Sequence, residues 1–145
     1  MEAISFTEVL KSDISRKEKA KLIAAKIRSA KGYSWVGLYD VNEKEISIIA
    51  YDGRTEPAFT SFPKDKGLNG RAVTRKQTVI VNDTGRDEDY LLTFSSTESE
   101  IIVPVFDGRH IVGTIDAESE SKNAFGNEDA GFLENCAKEI VSLWE

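Results

Sequence analysis

Two runs of strand-forming residues joined by a short turn constrain the fold of this 145-residue chain most strongly. Residues 101–106 read IIVPVF and residues 110–117 read HIVGTIDA, and the Asp107-Gly108 pair between them is typical of a tight hairpin. The two runs therefore predict a pair of antiparallel strands. Because Pro104 has no amide hydrogen to donate, its amide side is expected at a sheet edge or a bulge.

A change of period predicts a second hairpin nearer the N-terminus. In residues 33–39 the aliphatic side chains alternate with aromatic residues and a glycine, which suits a strand with two different faces. Residues 46–51 (ISIIAY) follow a turn at Asn42 and are expected to form the partner strand. A short β-branched strand is expected over residues 78–81.

Helical patterns stand at both ends of the chain. Apolar residues at helical spacing predict a helix over residues 16–30, with Gly32 as its left-handed cap. Near the C-terminus, Asn127 is predicted as the N-cap of a helix that reaches residue 144. Two capping boxes are predicted before the first of these helices, Ser5 with Glu8 and Ser15 with Glu18.

Three segments connect these elements. Residues 52–66 contain prolines and scattered charges and are expected to be irregular. A glycine-spaced segment, residues 67–70, is expected to lead into a short helix at residues 71–73. Residues 82–97 are expected to form a long loop with one helical turn at most, and loops of that length in compact domains are often functional.

These elements describe an α+β domain with one mainly antiparallel sheet and the N- and C-terminal helices packed on one face. No internal repeat or Pro/Ser-rich linker divides the chain, so residues 1–145 are expected to form a single domain. Within it we expect an N-terminal helical segment (residues 1–31), the sheet with its loops (residues 33–119) and the C-terminal helix (residues 127–144).

Charge and composition argue against several classes of function. The 25 acidic residues outnumber 19 basic ones, and the bases are dispersed, so nucleic acid is not expected as a partner. No apolar run approaches the roughly 18 residues of a membrane span, and the N-terminus lacks the basic leader of a signal peptide. We therefore expect a cytoplasmic protein. One cysteine and one histidine provide neither an intramolecular disulfide nor a closed zinc site.

Five segments together resemble a GAF domain, and in particular the free methionine-(R)-sulfoxide reductase branch of that family. The likeness extends over nearly the whole chain from about Ile23 onward, with the segments in the same order. It implies the GAF fold. The segments are YSWVGLY (33–39), KGLNG (66–70), SEIIVP (99–104), GTIDAES (113–119) and FGNED (125–129).

The resemblance also implies that the thiol chemistry of that branch is absent here. Reductases of the branch use cysteines set around a closed pocket, whereas the matching positions here are Phe59, Asn69 and Thr93. Sulfoxide reduction by thiols needs one thiolate to attack sulfur and a second thiol to resolve the sulfenic acid. Cys136 is expected to be a buried small hydrophobic residue. The sequence alone leaves an enzymatic role open, and we expect none.

The binding side of the pocket is retained, as the resemblance implies. Trp35 and Tyr39 match aromatic residues that line it, Glu100 and Asp116 match carboxylates that hold the substrate, and Glu118 replaces a second aspartate. Converging carboxylates favour an ammonium group, and their repulsion raises at least one pKa. Taken singly, each residue also suits core packing or a solvated strand end. Together with the residues at the three cysteine positions, these five residues form the predicted ligand-binding set of Trp35, Tyr39, Phe59, Asn69, Thr93, Glu100, Asp116 and Glu118.

Three functions are compatible with these features. The first is a stand-alone GAF module, of the kind used in signalling, that binds an amino acid or related zwitterion without redox catalysis, cofactor or metal. Its ligand is expected to order residues 52–66 and 82–97. The second is a degenerate reductase with residual or altered activity. The third is a ligand-free module that dimerises through its terminal helices, with the pocket filled by Phe59, Leu92 and Phe94.

Overall fold

The computed structural model describes residues 4–90 and 96–145, which form both helices and strands. None of the helices in the described ranges is long and apolar enough to cross a membrane. The elements are α1 (Thr7–Lys11), α2 (Arg16–Lys31), β1 (Trp35–Val41), β2 (Glu45–Gly53), β3 (Ser61–Pro63), α3 (Gly67–Arg75), β4 (Val79–Val81), β5 (Ser99–Asp107), β6 (His110–Ser119) and α4 (Asn127–Ile140), with 3₁₀ turns at Thr84–Arg86 and Val141–Trp144.

The six strands form one sheet in the order β3-β2-β1-β6-β5-β4, and every pairing is antiparallel. The β1–β2 and β5–β6 hairpins confirm the two that the sequence predicts. β4 pairs only with residues 100–102 of β5, so Pro104 lies where the outer side of β5 has no neighbouring strand among the described residues. The register of β5 shifts between Val105 and Phe106, and the edge position predicted for Pro104 is confirmed.

The two faces of the sheet are covered differently. One face carries α2 and α4 and contains the main core, as predicted for the terminal helices. The alternation in β1 places Val36 and Leu38 in this core, whereas Trp35 and Tyr39 lie on the opposite face. That opposite face is covered by α3, by the segment that precedes β3, and by Tyr90 and Thr97, and we call it the pocket face.

The element boundaries differ from the sequence predictions in a few places. Ser15 caps α2 by accepting a hydrogen bond from the Glu18 amide at 3.1 Å, and Gly32 ends that helix with φ of 70°, as predicted. The Ser5 capping box is wrong, because the buried Phe6 occupies the N-cap position of α1. Asn127 is the first residue of α4 rather than its N-cap.

The N-cap of α4 is Gly126, whose amide donates to the Asp129 carboxylate at 3.0 Å. Residues 52–66 were expected to be irregular but contain β3, an edge strand that pairs with Glu45, Ile46 and Ser47 of β2. The short helix after the glycines begins at Gly67, earlier than its expected start.

Candidate functional site

The register of β5 against β6 brings three acidic residues together on the pocket face. Asp116 and Glu118 lie two residues apart on β6 and therefore project from the same side of the sheet. Glu100 of β5 is paired directly with Glu118, and Asp116 is paired with the next residue of β5 on that side, Ile102. We call Glu100, Asp116 and Glu118 the acid cluster.

The acid cluster is almost completely removed from solvent. Glu100 is 4% exposed, Asp116 is 2% exposed and Glu118 is 1% exposed. When one oxygen atom is taken from each carboxylate, the three oxygens lie within 4.8 Å of one another. No ion pair formed by the described residues includes a member of the cluster. Three acidic groups are thus buried side by side without a neighbouring Lys or Arg ion-pair partner.

Burial and mutual repulsion shift the proton affinities of the cluster. The pKa of Glu100 is held well above its usual range, first by loss of solvation and then by the neighbouring charges of Asp116 and Glu118. Burial likewise raises the pKa of Glu118 well above its usual range and that of Asp116 to about 6. These raised pKa values agree with the prediction from the sequence that converging carboxylates raise at least one pKa.

Two polar side chains hydrogen-bond to the cluster from outside. The Thr97 hydroxyl donates to Oε1 of Glu118 at 2.7 Å, and Nδ2 of Asn69 donates to Oδ2 of Asp116 at 3.1 Å. Asn69 is itself held by Thr114, whose hydroxyl donates to its Oδ1 at 2.6 Å. Oδ1 of Asp116 and Oε2 of Glu118 are buried and receive no hydrogen bond from a described residue outside the cluster, whereas the Glu100 carboxyl lies within hydrogen-bonding contact of both side chains and bonds to them when it carries a proton.

Trp35 and Tyr39 form the aromatic part of the site on β1. Trp35 is paired across the sheet with Glu118, and its ring covers the backbone of Gly37 and Gly53, positions at which a Cβ atom would overlap the indole. Its Nε1 donates to the Thr55 carbonyl at 3.2 Å. Tyr39 is buried, and its pKa is raised well above its usual value by burial and by the three carboxylates.

Two cavities adjoin the acid cluster. A small one of about 20 Å³ is lined by Glu100 and Asp116 together with Tyr39, Asn69 and aromatic residues of the 59–62 segment. A larger one of about 210 Å³ has an open side, and the residues that line it are Ser34, Trp35, Arg54, Thr55, Ser96, Thr97 and Glu120. Thr97 belongs to the larger cavity and hydrogen-bonds to Glu118, so the cluster lies between the two spaces.

Six of the eight residues predicted to bind a ligand are brought together here. They are Trp35, Tyr39, Asn69, Glu100, Asp116 and Glu118. Phe59 lines the small cavity but is 43% exposed, so it lies at the rim. Thr93 lies outside the described residues, as do Leu92 and Phe94. Whether these residues bind a ligand stays a prediction.

Sequence reasoning missed Thr97, Thr114 and Arg54. Thr114 precedes Asp116 by two residues on β6, so strand alternation alone could have placed it beside the cluster. Thr97 and Arg54 belong to connecting segments, whose contacts no local pattern specifies. Arg54 is exposed in the larger cavity and forms no ion pair with the residues the structure describes.

An ion-pair network attaches residues 87–89, which lie beside the pocket face, to α3. The Arg71 guanidinium donates two hydrogen bonds to Asp87, at 2.9 and 2.6 Å, and one to Asp89 at 2.9 Å. Tyr90 follows this anchor, and its pKa is raised by burial and by the charges of the acid cluster. Arg71 is therefore not a freely solvated side chain, because its charge holds Asp87 and Asp89 against α3.

Cys136 lies on the other side of the sheet from the site. It projects from α4 into the main core and is 1% exposed, and burial raises the pKa of its thiol to about 12. A thiol in these surroundings stays protonated and unreactive. The prediction that Cys136 is a buried core residue is confirmed.

The fold and the arrangement of the pocket face define a GAF domain. The family model described as "GAF domain" matches residues 20–145. The chain belongs to the GAF domain family, as its sequence resemblance implied.

Solved structures similar to this chain include free methionine-R-sulfoxide reductases. The substrate complex of the enzyme from Neisseria meningitidis superposes with a TM-score of 0.86 at 29% identity, covering 96% of this chain and 83% of that one. The type II enzyme from Thermoplasma acidophilum gives a TM-score of 0.80 at 30% identity, covering 90% and 95%.

Among curated proteins, GAF domain-containing protein A of Dictyostelium discoideum is 28% identical over 117 residues, which are 80% of this chain and 73% of that protein. Four curated relatives are matched over 61% to 73% of their own lengths. The single cysteine of this chain argues against the usual redox catalysis of a reductase.

Proposed function

We propose that this protein is a GAF module that binds a small molecule with a positively charged ammonium group, an amino acid or related zwitterion, and performs no thiol chemistry. The observation that carries the proposal is the acid cluster, whose three carboxyl groups are buried beside an aromatic wall with no positively charged partner among the described residues. An ammonium group donates three hydrogen bonds and neutralises part of the buried charge.

The larger cavity supports a ligand of metabolite size. Its volume of about 210 Å³ is below the roughly 300–1,000 Å³ typical of sites for drug-sized molecules. A ligand with its ammonium group at Glu118 would extend past Thr97 and Trp35 into this space. Arg54, which has no ion-pair partner among the described residues, would then be available to a carboxylate at the other end of the ligand.

The small cavity limits how an amino acid enters. A space of about 20 Å³ holds about one water, which is room for an ammonium group but not for the carbon skeleton attached to it, so entry of an amino acid on this side needs outward movement of the segments that cover the pocket face. Phe59 at the rim and the Arg71-anchored segment from Asp87 to Tyr90 are the parts that would move. Ligand binding would therefore change the fraction of molecules in which these two parts are displaced from the pocket face. Such a change in population would be the signal that the module passes on.

A thermal-shift and calorimetric screen tests this proposal. The panel is methionine, both epimers of its sulfoxide, other amino acids and cyclic nucleotides, in buffer containing EDTA. We expect an amino-acid-type ligand to raise the melting temperature of the wild type and of Glu139→Gln, which removes an exposed charge on α4. Arg54→Gln should weaken binding of the ligand more than binding of its carboxamide analogue. Failure of every compound to bind would contradict the proposal.

A coupled assay with thioredoxin and NADPH tests the rival reductase function. Free methionine-(R)-sulfoxide should give no NADPH consumption above the rate without protein, because Phe59 and Asn69 carry no thiol. Consumption that disappears in Cys136→Ser would instead support an enzyme.

A further inference from the structure

We propose that the protein has a second binding site, for a small aromatic carboxylate, in a groove at the outer edge of β5. The groove has a volume of about 340 Å³ and lies between that strand, α4 and the turn that follows α3. We call it the edge groove. The described residues that line it include no member of the acid cluster, so the inference goes beyond the proposed function and does not depend on it.

The floor of the edge groove is apolar because β4 begins opposite Ile102 and leaves the next part of β5 uncovered. Val103 and Ala137 belong to the main core, and Pro104 is buried beside them. Phe106 adds an aromatic ring that is 41% exposed. The volume lies within the roughly 300–1,000 Å³ typical of sites for drug-sized molecules. The groove therefore has the size and the surface to hold one or two aromatic rings against the edge of the core.

The rim of the edge groove has an excess of positive charge. Lys76 follows α3 and Lys138 lies on α4, and neither forms an ion pair with any residue that the structure describes. Glu134 is the one acidic residue among the described residues of the lining, and its Oε2 accepts a hydrogen bond from the Thr78 hydroxyl at 2.6 Å. Two uncommitted ammonium groups beside an apolar floor favour a ligand that combines rings with a negative charge.

The backbone at Lys76 gives a second, independent reason to assign a role to this rim. Lys76 is the C-cap of α3 with φ of 56°, and its amide donates to the Ala72 carbonyl. Glycine is the usual residue at a left-handed cap, because any Cβ atom there carries a steric cost. Helix capping alone would therefore favour glycine, whereas a lysine places an ammonium group at the groove. Strained positions of this kind are often associated with function.

Two other occupants of the edge groove fit the structure less well. An added β-strand needs a regular row of donors, but Pro104 has no amide hydrogen and the register of β5 shifts between Val105 and Phe106. A second copy seated by a two-fold axis would bring the Lys76 and Lys138 side chains of both molecules into one interface. A small anion meets neither obstacle.

The test is titration of the protein with 2-naphthoate and, in parallel, with its uncharged analogue 2-naphthamide. The variants are Lys76→Gly, Lys138→Gln and the two combined. Lys44→Gln is the matched control, because Lys44 is an exposed lysine in the turn between β1 and β2. Isothermal titration gives the affinities, and changes in the amide chemical shifts of Gln77 and Phe106 report binding at the groove.

We expect the wild type and Lys44→Gln to bind 2-naphthoate equally well and 2-naphthamide more weakly. Each single variant at the rim should bind 2-naphthoate about two- to fivefold more weakly, as for one exposed charge pair, and the double variant about tenfold more weakly. Lys76→Gly should not lower the melting temperature, because glycine adopts the left-handed conformation freely. Weaker binding by this variant would then come from loss of the ammonium group and not from unfolding.

Three results would overturn the proposal. The first is absence of 2-naphthoate binding at about 5 mM, a concentration that detects even millimolar affinity. The second is wild-type affinity in the double variant, and the third is loss of binding in Arg54→Gln, which would place the ligand in the larger cavity of the pocket face. Self-association of the wild type that disappears in Phe106→Ala, seen by sedimentation velocity, would show that a second copy fills the groove instead. None of these results bears on the amino acid screen, which probes the other face of the sheet.

Discussion

At the scale of single residues, the site is defined by three buried acids that have no positively charged partner among the described residues. Strand spacing alone predicts that Asp116 and Glu118 share a face. That Glu100 joins them depends on the register of the β5–β6 hairpin, which shifts between Val105 and Phe106 and which the turn residues do not specify, and its prediction came from the family resemblance. The hydrogen bonds from Thr97 and Asn69 were not predictable, because they connect segments distant in sequence.

Stability should fall as pH rises, because burial raises carboxylate pKa values in the folded state. Asp116 has a pKa of about 6 against an ordinary value of 3.8, so the folded protein binds protons more tightly than the unfolded chain. The favourable contribution is fully present below about pH 4 and is lost as pH rises through 6. We expect the free energy of unfolding to drop by about 1–3 kcal/mol across that window, measured by urea titration.

Glu100→Gln tests the origin of that drop. It removes a buried acid whose own pKa is held well above its usual range by burial and by the charges of Asp116 and Glu118, so the pH dependence should become shallower and stability at pH 7 should increase. Glu139→Gln on the surface of α4 is the control and should keep the wild-type slope. An unchanged slope in Glu100→Gln would mean that other groups cause the pH dependence.

At the scale of elements, the periodicities predicted most of the sheet and its two faces. The alternation in β1 separates the core side chains from Trp35 and Tyr39 because each face of the sheet has its own environment. β3 was missed because three residues ending in Pro63 carry almost no strand pattern and are ordered by pairing with β2. The ends of α1 and α4 were misjudged because Phe6 and Gly126 take the cap positions through tertiary packing and backbone geometry.

The close contact of Trp35 with β1 and β2 requires glycine at position 37. In Gly37→Ala the new Cβ would overlap the six-membered ring of Trp35, so the indole must move away from the sheet. We expect a loss of about 1–3 kcal/mol in the free energy of unfolding and an altered tryptophan emission spectrum.

Gly131→Ala provides the matched control on α4. The space around a Cβ at this helical position is open, so the substitution should stabilise the protein by about 0.5–1 kcal/mol and leave the spectrum unchanged. Equal effects of the two variants would show that the contact between Trp35 and Gly37 contributes little.

At the scale of the whole molecule, the sheet separates a core from a site. The face under α2 and α4 is apolar and contains the lone thiol, whereas the pocket face contains the buried charges. The α+β class and the packing of both terminal helices on one face followed from the order of elements, since each amphipathic helix must cover an apolar surface. The ligand did not follow from that order, because a fold does not determine what its pocket binds.

The buried thiol of Cys136 should report on the opening of the entire core. It is 1% exposed with a pKa of about 12, and it packs among residues of α2, α4 and the sheet. Labelling by a thiol reagent should therefore be slow in native buffer and immediate in concentrated urea, with a rate that tracks the population of open molecules. A ligand that binds the pocket face should slow labelling by the factor by which it stabilises the folded state, although it does not touch Cys136. Fast labelling of the native protein, unaffected by ligand, would mean that α4 opens separately from the sheet.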